Sequence, residues 1–179
     1  MKEKTVQTAG RALQNGDYPL PEVTMTQTNE TVFLSDLPVL MRGLLSGEGD
    51  EIAVMANASA LIFDLVPDLN WAGFYRSSGE GLILGPFQGK PACVRIAPGR
   101  GVCGRAFESG EPIVVPDVHA FPDHIACDFA SASEMVVPIR RKDGTPLGVL
   151  DLDSPTPDRF APIREIILST AREIERALG

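Results

Sequence analysis

Residues 134–154, EMVVPIRRKDGTPLGVLDLDS, hold the two strongest strand signals of the chain, EMVVPIR and TPLGVLDLDS, joined by the polar turn RKDG. Two apolar, β-branched runs around a Gly-containing turn mark an antiparallel hairpin. Upstream, NWAGFYR sets Trp71, Gly73 and Tyr75 on one face and Ala72 and Phe74 on the other. A turn at Ser77–Gly81 follows, and GLILGPF is the return strand. CVRIA and PIVVP read as short strands, and Gly101–Ser109 as a short helix after PGRG. Helical spacing covers Leu34, Leu37, Met41, Leu44 and Leu45, then Ile52, Met55, Ser59, Ile62 and Val66 behind Asp50 as N-cap. Pro67 and Asp68 end that second helix, and Ile163, Ile166, Ile167, Thr170, Ile174 and Leu178 give a last amphipathic one. Hairpins dominate and no regular strand–helix alternation exists. The expected class is therefore α+β: an antiparallel sheet with helices packed against it and a loop-built pocket on the other face.

Residues 1–30 are polar, with Gly10, Gly16, Pro19 and Pro21 and no apolar period, and read as a flexible N-terminal arm. Residues 31–179 are expected to form a single domain. The chain carries 24 acidic against 16 basic residues, a net charge of −8, which argues against nucleic acid as a partner. No apolar run is long enough for a membrane span, and MKEKTVQTAGRALQNGDYPL has no apolar signal core, so the cytoplasm is the expected location.

The three cysteines, Cys93, Cys103 and Cys127, fall in one stretch rich in Gly and Pro. They read as lying on loops or element ends, beside Lys90, Arg95, Arg105 and His124. Cationic neighbours favour the thiolate, and three cysteines cannot all pair within the chain, so thiol chemistry is favoured over a disulfide staple. Asp151 and Asp153 are a second unusual feature: alternate acids in an apolar strand need a polar pocket or water on that face. Plainer readings stand beside these. Trp71 and Tyr75 suit a core, Glu134 a solvated strand start, and Cys103, between Gly101 and Gly104, helix-start packing. A zinc set of Cys93, Cys103, Cys127 and His124 lacks any CxxC pair, so no metal is expected. PGRG lacks the lysine and hydroxyl of a phosphate loop.

The strings NWAGFYR, LGPFQGKPACVRI, GRGVCGRA, VPDVHAFPDHIACD, SEMVVPI and GVLDLDSP, with cysteines spaced C-x9-C-x23-C, resemble the free methionine-(R)-sulfoxide reductases, which have a GAF domain fold. The likeness runs from about Leu44 to Phe160. It implies a six-stranded antiparallel sheet, a homodimer, thioredoxin as external reductant and no cofactor. The resemblance puts the nucleophile on Cys127, the resolving thiol on Cys93 and an alternative disulfide partner on Cys103. It puts substrate-binding carboxylates on Glu134, Asp151 and Asp153, and an aromatic box around the substrate methyl on Trp71 and Tyr75.

That chemistry has physical requirements. A thiolate attacks the sulfoxide sulfur while an acid protonates the departing oxygen, help typically worth about 10²–10⁴-fold. Asp151 and Asp153 repel one another when both ionised, so one is expected to hold a proton near neutrality. Asp153 is the first choice of acid and Asp151 the alternative. The sulfenic acid left on Cys127 condenses with a second thiol to a disulfide, which an external dithiol reduces. Two other functions compete: a ligand-binding GAF sensor, for which an output domain would be expected, and a thiol switch, which needs no carboxylate and aromatic pocket.

Overall fold

The computed structural model describes residues 32–123 and 128–178. The proposed arm at 1–30, and both His124 and Cys127, lie outside the described residues. Six strands form one antiparallel sheet in the order β3-β2-β1-β6-β5-β4. They are β1 (Trp71–Ser78), β2 (Gly81–Gly89), β3 (Arg95–Ile96), β4 (Ile113–Val115), β5 (Ser133–Arg140) and β6 (Pro146–Ser154). The two expected hairpins are β1–β2 and β5–β6, and β1 pairs with β6 at the centre. β3 is shorter than CVRIA suggested, since only Arg95 and Ile96 pair with β2, and Cys93 lies outside it. Pro138 sits within β5 but past the three residues that pair with β4, where a missing N–H costs no ladder bond to that strand.

Three helices cover one face: α1 (Leu37–Leu44), α2 (Glu51–Leu65) and α4 (Arg164–Ala177). A 3-10 turn, Leu34–Asp36, precedes α1, which therefore starts three residues later than the spacing implied. Asp50 caps α2 as expected, its side chain accepting from the N–H groups of Ile52 and Ala53 at 2.9 Å each. Met55, Ser59, Ile62 and Val66 are buried, whereas Ile52 lies exposed at the start of the helix. The Ser59 hydroxyl donates to Met55 O at 2.8 Å and lies 3.2 Å from Pro86 O, joining α2 to β2. The main core lies here: Ala72, Phe74, Met135, Val137, Leu150 and Leu152 from the sheet meet Leu37, Met41, Met55, Ile62, Ile167 and Ile174 from the helices.

The opposite face has one helix, α3 (Gly101–Ser109), packed on β5 and β6, together with the β2–β3 connection and the segments around β4. A second, smaller apolar cluster forms there from Trp71, Tyr75, Leu82, Ile96, Val102, Ala106, Val136 and Val149. Strand alternation thus sends Ala72, Phe74, Leu150 and Leu152 to the helices, and Trp71, Tyr75 and the two aspartates to the α3 side. Among the described residues no helix is long and apolar enough to cross a membrane.

Candidate active site

The register of three strands assembles the site. Trp71 stands opposite Asp153, and Asp153 opposite Glu134, so one row across β1, β6 and β5 reads Trp–Asp–Glu. The next row on the same face is Gly73, Asp151 and Val136. Tyr75 lies one step further along β1, beside Val149. The two acids of GVLDLDS therefore gain a third carboxylate from a different hairpin arm.

Gly73 keeps the aromatic shelf flat. A Cβ there would fall 2.3 Å from Phe87 Cβ and 2.7 Å from the far edge of the Trp71 indole. Without it, the Trp71 ring stacks on Tyr75 at 5.8 Å between centroids and on Phe87 at 5.4 Å. The indole Nε1–H donates to Lys90 O at 3.1 Å, which ties the shelf to the β2–β3 connection.

α3 closes the floor. Cys103 is buried in the first turn of this helix, its Sγ 4.0 Å from Glu134 Oε1. One ligand-type atom from each of Cys103, Glu134 and Asp151 lies within 4.8 Å of the others. The helix-start position agrees with one of the readings of Cys103, but the expected basic company is corrected: acids surround Cys103 in space. Arg105, from the same helix, turns instead to the 121–123 segment, donating to Pro122 O at 3.2 Å and covering the Phe121 ring. Burial first, and then the charges of Asp151 and Glu134, push the Cys103 thiol well above its ordinary pKa, so it stays protonated.

The three carboxyls behave alike. Burial is the first cause that raises each one well above the carboxylate range, and a neighbouring acid is the second: Asp153 for Glu134, Glu134 for Asp151, and Asp151 for Asp153. Ser131 opposes the rise at Asp153 through a hydrogen bond. A cluster of this kind retains protons near neutrality and can donate one to an oxygen placed against it.

The mouth is polar. Asn70 Nδ2 donates to Ser131 Oγ at 3.0 Å and to Asp128 Oδ2 at 3.3 Å, and Lys90 Nζ pairs with Asp128 at 3.1 Å. The Ala130 N–H, followed by Lys90, holds Asp128 below the usual carboxylate range, so it is ionised where the floor acids are not. The cavity between shelf, floor and mouth holds about 540 Å³ of empty space, counting its open side.

Six of the eight sequence-derived candidates line this cavity: Trp71, Tyr75, Cys103, Glu134, Asp151 and Asp153. Cys93 is half-buried on the β2–β3 connection, next to the lining residue Ala92 but not itself part of the wall. Cys127 lies outside the described residues, immediately before Asp128 in sequence. Sequence reasoning missed Asn70, Phe87 and Asp128. Phe87 could have been found from its place on the return strand opposite Gly73, whereas the Asn70–Asp128 contact joins residues 58 positions apart and leaves no local signal.

The GAF domain family model matches residues 48–178. Protein YtsP of Bacillus subtilis is 53% identical over 142 residues, covering 78% of this chain and 86% of that protein. The free methionine-R-sulfoxide reductase of Escherichia coli is 49% identical over 132 residues, covering 74% of this chain and 79% of that enzyme. Among solved structures, fRMsr of Staphylococcus aureus in complex with substrate is similar at a TM-score of 0.77 and 43% identity, covering 85% of this chain and 99% of that one.

Proposed function

This chain belongs to the GAF domain family and, within it, to the free methionine-R-sulfoxide reductases, and from that premise we propose that it reduces free L-methionine-R-sulfoxide to L-methionine in the cytoplasm. The observation that carries the reading is the meeting of a stacked aromatic shelf with three buried carboxyls in one cavity. The shelf suits the S-methyl group, since sulfur–aromatic contacts contribute about 0.3–1.5 kcal/mol. The floor suits the sulfoxide oxygen, which needs a proton, and its carboxyl oxygens can accept from the ammonium of a free amino acid.

In the reading we favour, the Cys127 thiolate attacks the sulfoxide sulfur. Asp153 supplies the proton to the oxygen, with Asp151 as the alternative donor and Glu134 sharing the oxygen and ammonium contacts. In the adduct the protonated oxygen migrates to the Cys127 sulfur as the S–O and S–S bonds at the substrate sulfur break, which leaves a Cys127 sulfenic acid and releases methionine. The Cys93 thiol then condenses with the sulfenic acid, forming a disulfide and releasing water. Thioredoxin, an external dithiol, reduces the disulfide by exchange. Cys103 is the alternative disulfide partner. Its retained proton and acidic surroundings support a late role for it over that of the attacking thiol. No resident cofactor enters this scheme, and the working unit is proposed to be a homodimer.

The test is turnover of free L-methionine-R-sulfoxide by the reduced protein with excess dithiol, with the S epimer and a peptide-bound sulfoxide as controls. Turnover of the free R form alone is expected. Failure with all three substrates, while the protein binds a small ligand, would favour a GAF sensor.

A further inference from the structure

We propose that Cys103, Glu134 and Asp151 form a binding site for a soft divalent cation of the zinc class, and that its occupancy blocks the pocket. The inhibition rests on the reductase reading; the binding does not. The three donors come from three elements, α3, β5 and β6, and converge in one buried spot. Their ligand atoms lie within 4.8 Å of one another. Zinc bonds of about 2.0–2.3 Å set tetrahedral ligands roughly 3.3–3.8 Å apart, so a pair at the 4.8 Å limit need close by about 1–1.5 Å. A thiol beside two carboxylates suits zinc or cobalt better than magnesium or calcium, which prefer oxygen alone.

An independent observation comes from Asp151. Its carboxyl meets the Cys103 and Glu134 side chains, yet its Oδ1 has no hydrogen-bond partner of its own, although the residue is only 6% exposed. A buried orphan acceptor is costly unless a donor or a cation meets it. Asp151 also lines the cavity, so a metal would be reached from the open side and would keep a fourth position toward that space. On binding, the metal–sulfur bond forms as the S–H bond breaks, and the thiol proton and any carboxyl protons pass to solvent; no electron moves. This trio shares only Cys103 with the Cys/His set considered from the sequence.

The experiment uses the full reduced chain, metal-free and under anaerobic conditions, titrated with cobalt(II) and then with zinc in competition. One equivalent of cobalt per chain is expected, with a sulfur-to-cobalt charge-transfer band in the near ultraviolet that zinc removes. The band is expected to vanish in Cys103→Ser, shown to be folded by circular dichroism, and to persist in Cys93→Ser and Cys127→Ser. Asp151→Asn, an independent variant, is expected to weaken binding at least tenfold. A band that survives Cys103→Ser, a band lost in Cys127→Ser, or no stoichiometric binding would overturn the site. Zinc is then expected to abolish sulfoxide turnover. Cobalt binding without turnover of the metal-free protein would sink the reductase reading alone; turnover that zinc leaves untouched would sink the block.

Discussion

Replacing Gly73 with alanine is the sharpest test of the aromatic shelf. The added methyl group would fall 2.3 Å from Phe87 Cβ, 2.8 Å from Phe87 Cα and 2.7 Å from the Trp71 ring edge. Two of these neighbours belong to or adjoin the β2 backbone, so no rotamer change removes the conflict. The β1–β2 pair must open, or the rings must slide. Overpacking of this kind costs about 1–3 kcal/mol, and a lost aromatic stack adds about 0.5–1.5 kcal/mol. The expected destabilisation is therefore about 3 kcal/mol, equivalent to a fall of about 1–3 M in the urea midpoint at usual slopes. A displaced Trp71 would also forfeit the proposed sulfur contact, so kcat/KM should fall by about 2–12-fold. Gly43→Ala in α1 is the control: a Cβ there meets nothing within 4 Å, and the swap should stabilise by up to about 1 kcal/mol. A Gly73→Ala protein with a wild-type midpoint and undiminished kcat/KM would refute the description of the shelf.

Four further outcomes are expected. Cys127→Ser should abolish sulfoxide turnover and leave the far-ultraviolet circular dichroism unchanged; loss of folding would mark a structural thiol. Asp153→Asn should lower kcat by about 10²-fold or more without lowering the melting temperature, since it removes the proposed proton donor; an unaltered kcat would reassign the acid. Asp151 has its pKa raised by burial and by Glu134, so its stability contribution is full below the ordinary carboxylate range and is lost as pH rises through the folded value. Asp151→Asn should therefore gain stability relative to wild type between pH 4 and pH 8 in urea titrations, and a relative loss over that interval would reverse the argument. Glu173 runs the other way. Arg42, bidentate at 2.9 and 3.0 Å, leads the causes that hold it at about 2. Such a shift is worth up to about 3 kcal/mol, reduced to about 1–2 kcal/mol because solvent screens the exposed arginines. Glu173→Gln should show that cost at pH 7 and lose it as pH falls toward 2, and a pH-independent cost would exclude the ion pair as its source.

What the sequence disclosed was what one element determines alone. Asp50 caps α2 because its carboxylate reaches N–H groups two and three residues ahead. Trp71 and Tyr75, and likewise Asp151 and Asp153, share a face because a strand alternates. What stayed hidden depends on how elements meet. Glu134 faces Asp153 only through the β5–β6 register. Cys103 has basic neighbours in sequence but acids around it in space, because α3 lies across β5 and β6. Ile52 has the right helical spacing yet stands half in solvent in the first turn of α2, since spacing does not say which residues of a helix the rest of the fold covers.

The alternation of β6 also bears on how the chain avoids folding wrongly. Leu150 and Leu152 sit fully buried under the helices while Asp151, between them, faces the cavity. A slip of one residue in the pairing of β6 would drive both aspartates into that apolar layer and expose the leucines to the polar mouth. Each misplaced carboxylate would forfeit its hydration with no partner to replace it. The groups that burden the native state at neutral pH thus burden its nearest misregistered competitor more. Removing them should give a protein that is more stable but less strict about its strand register.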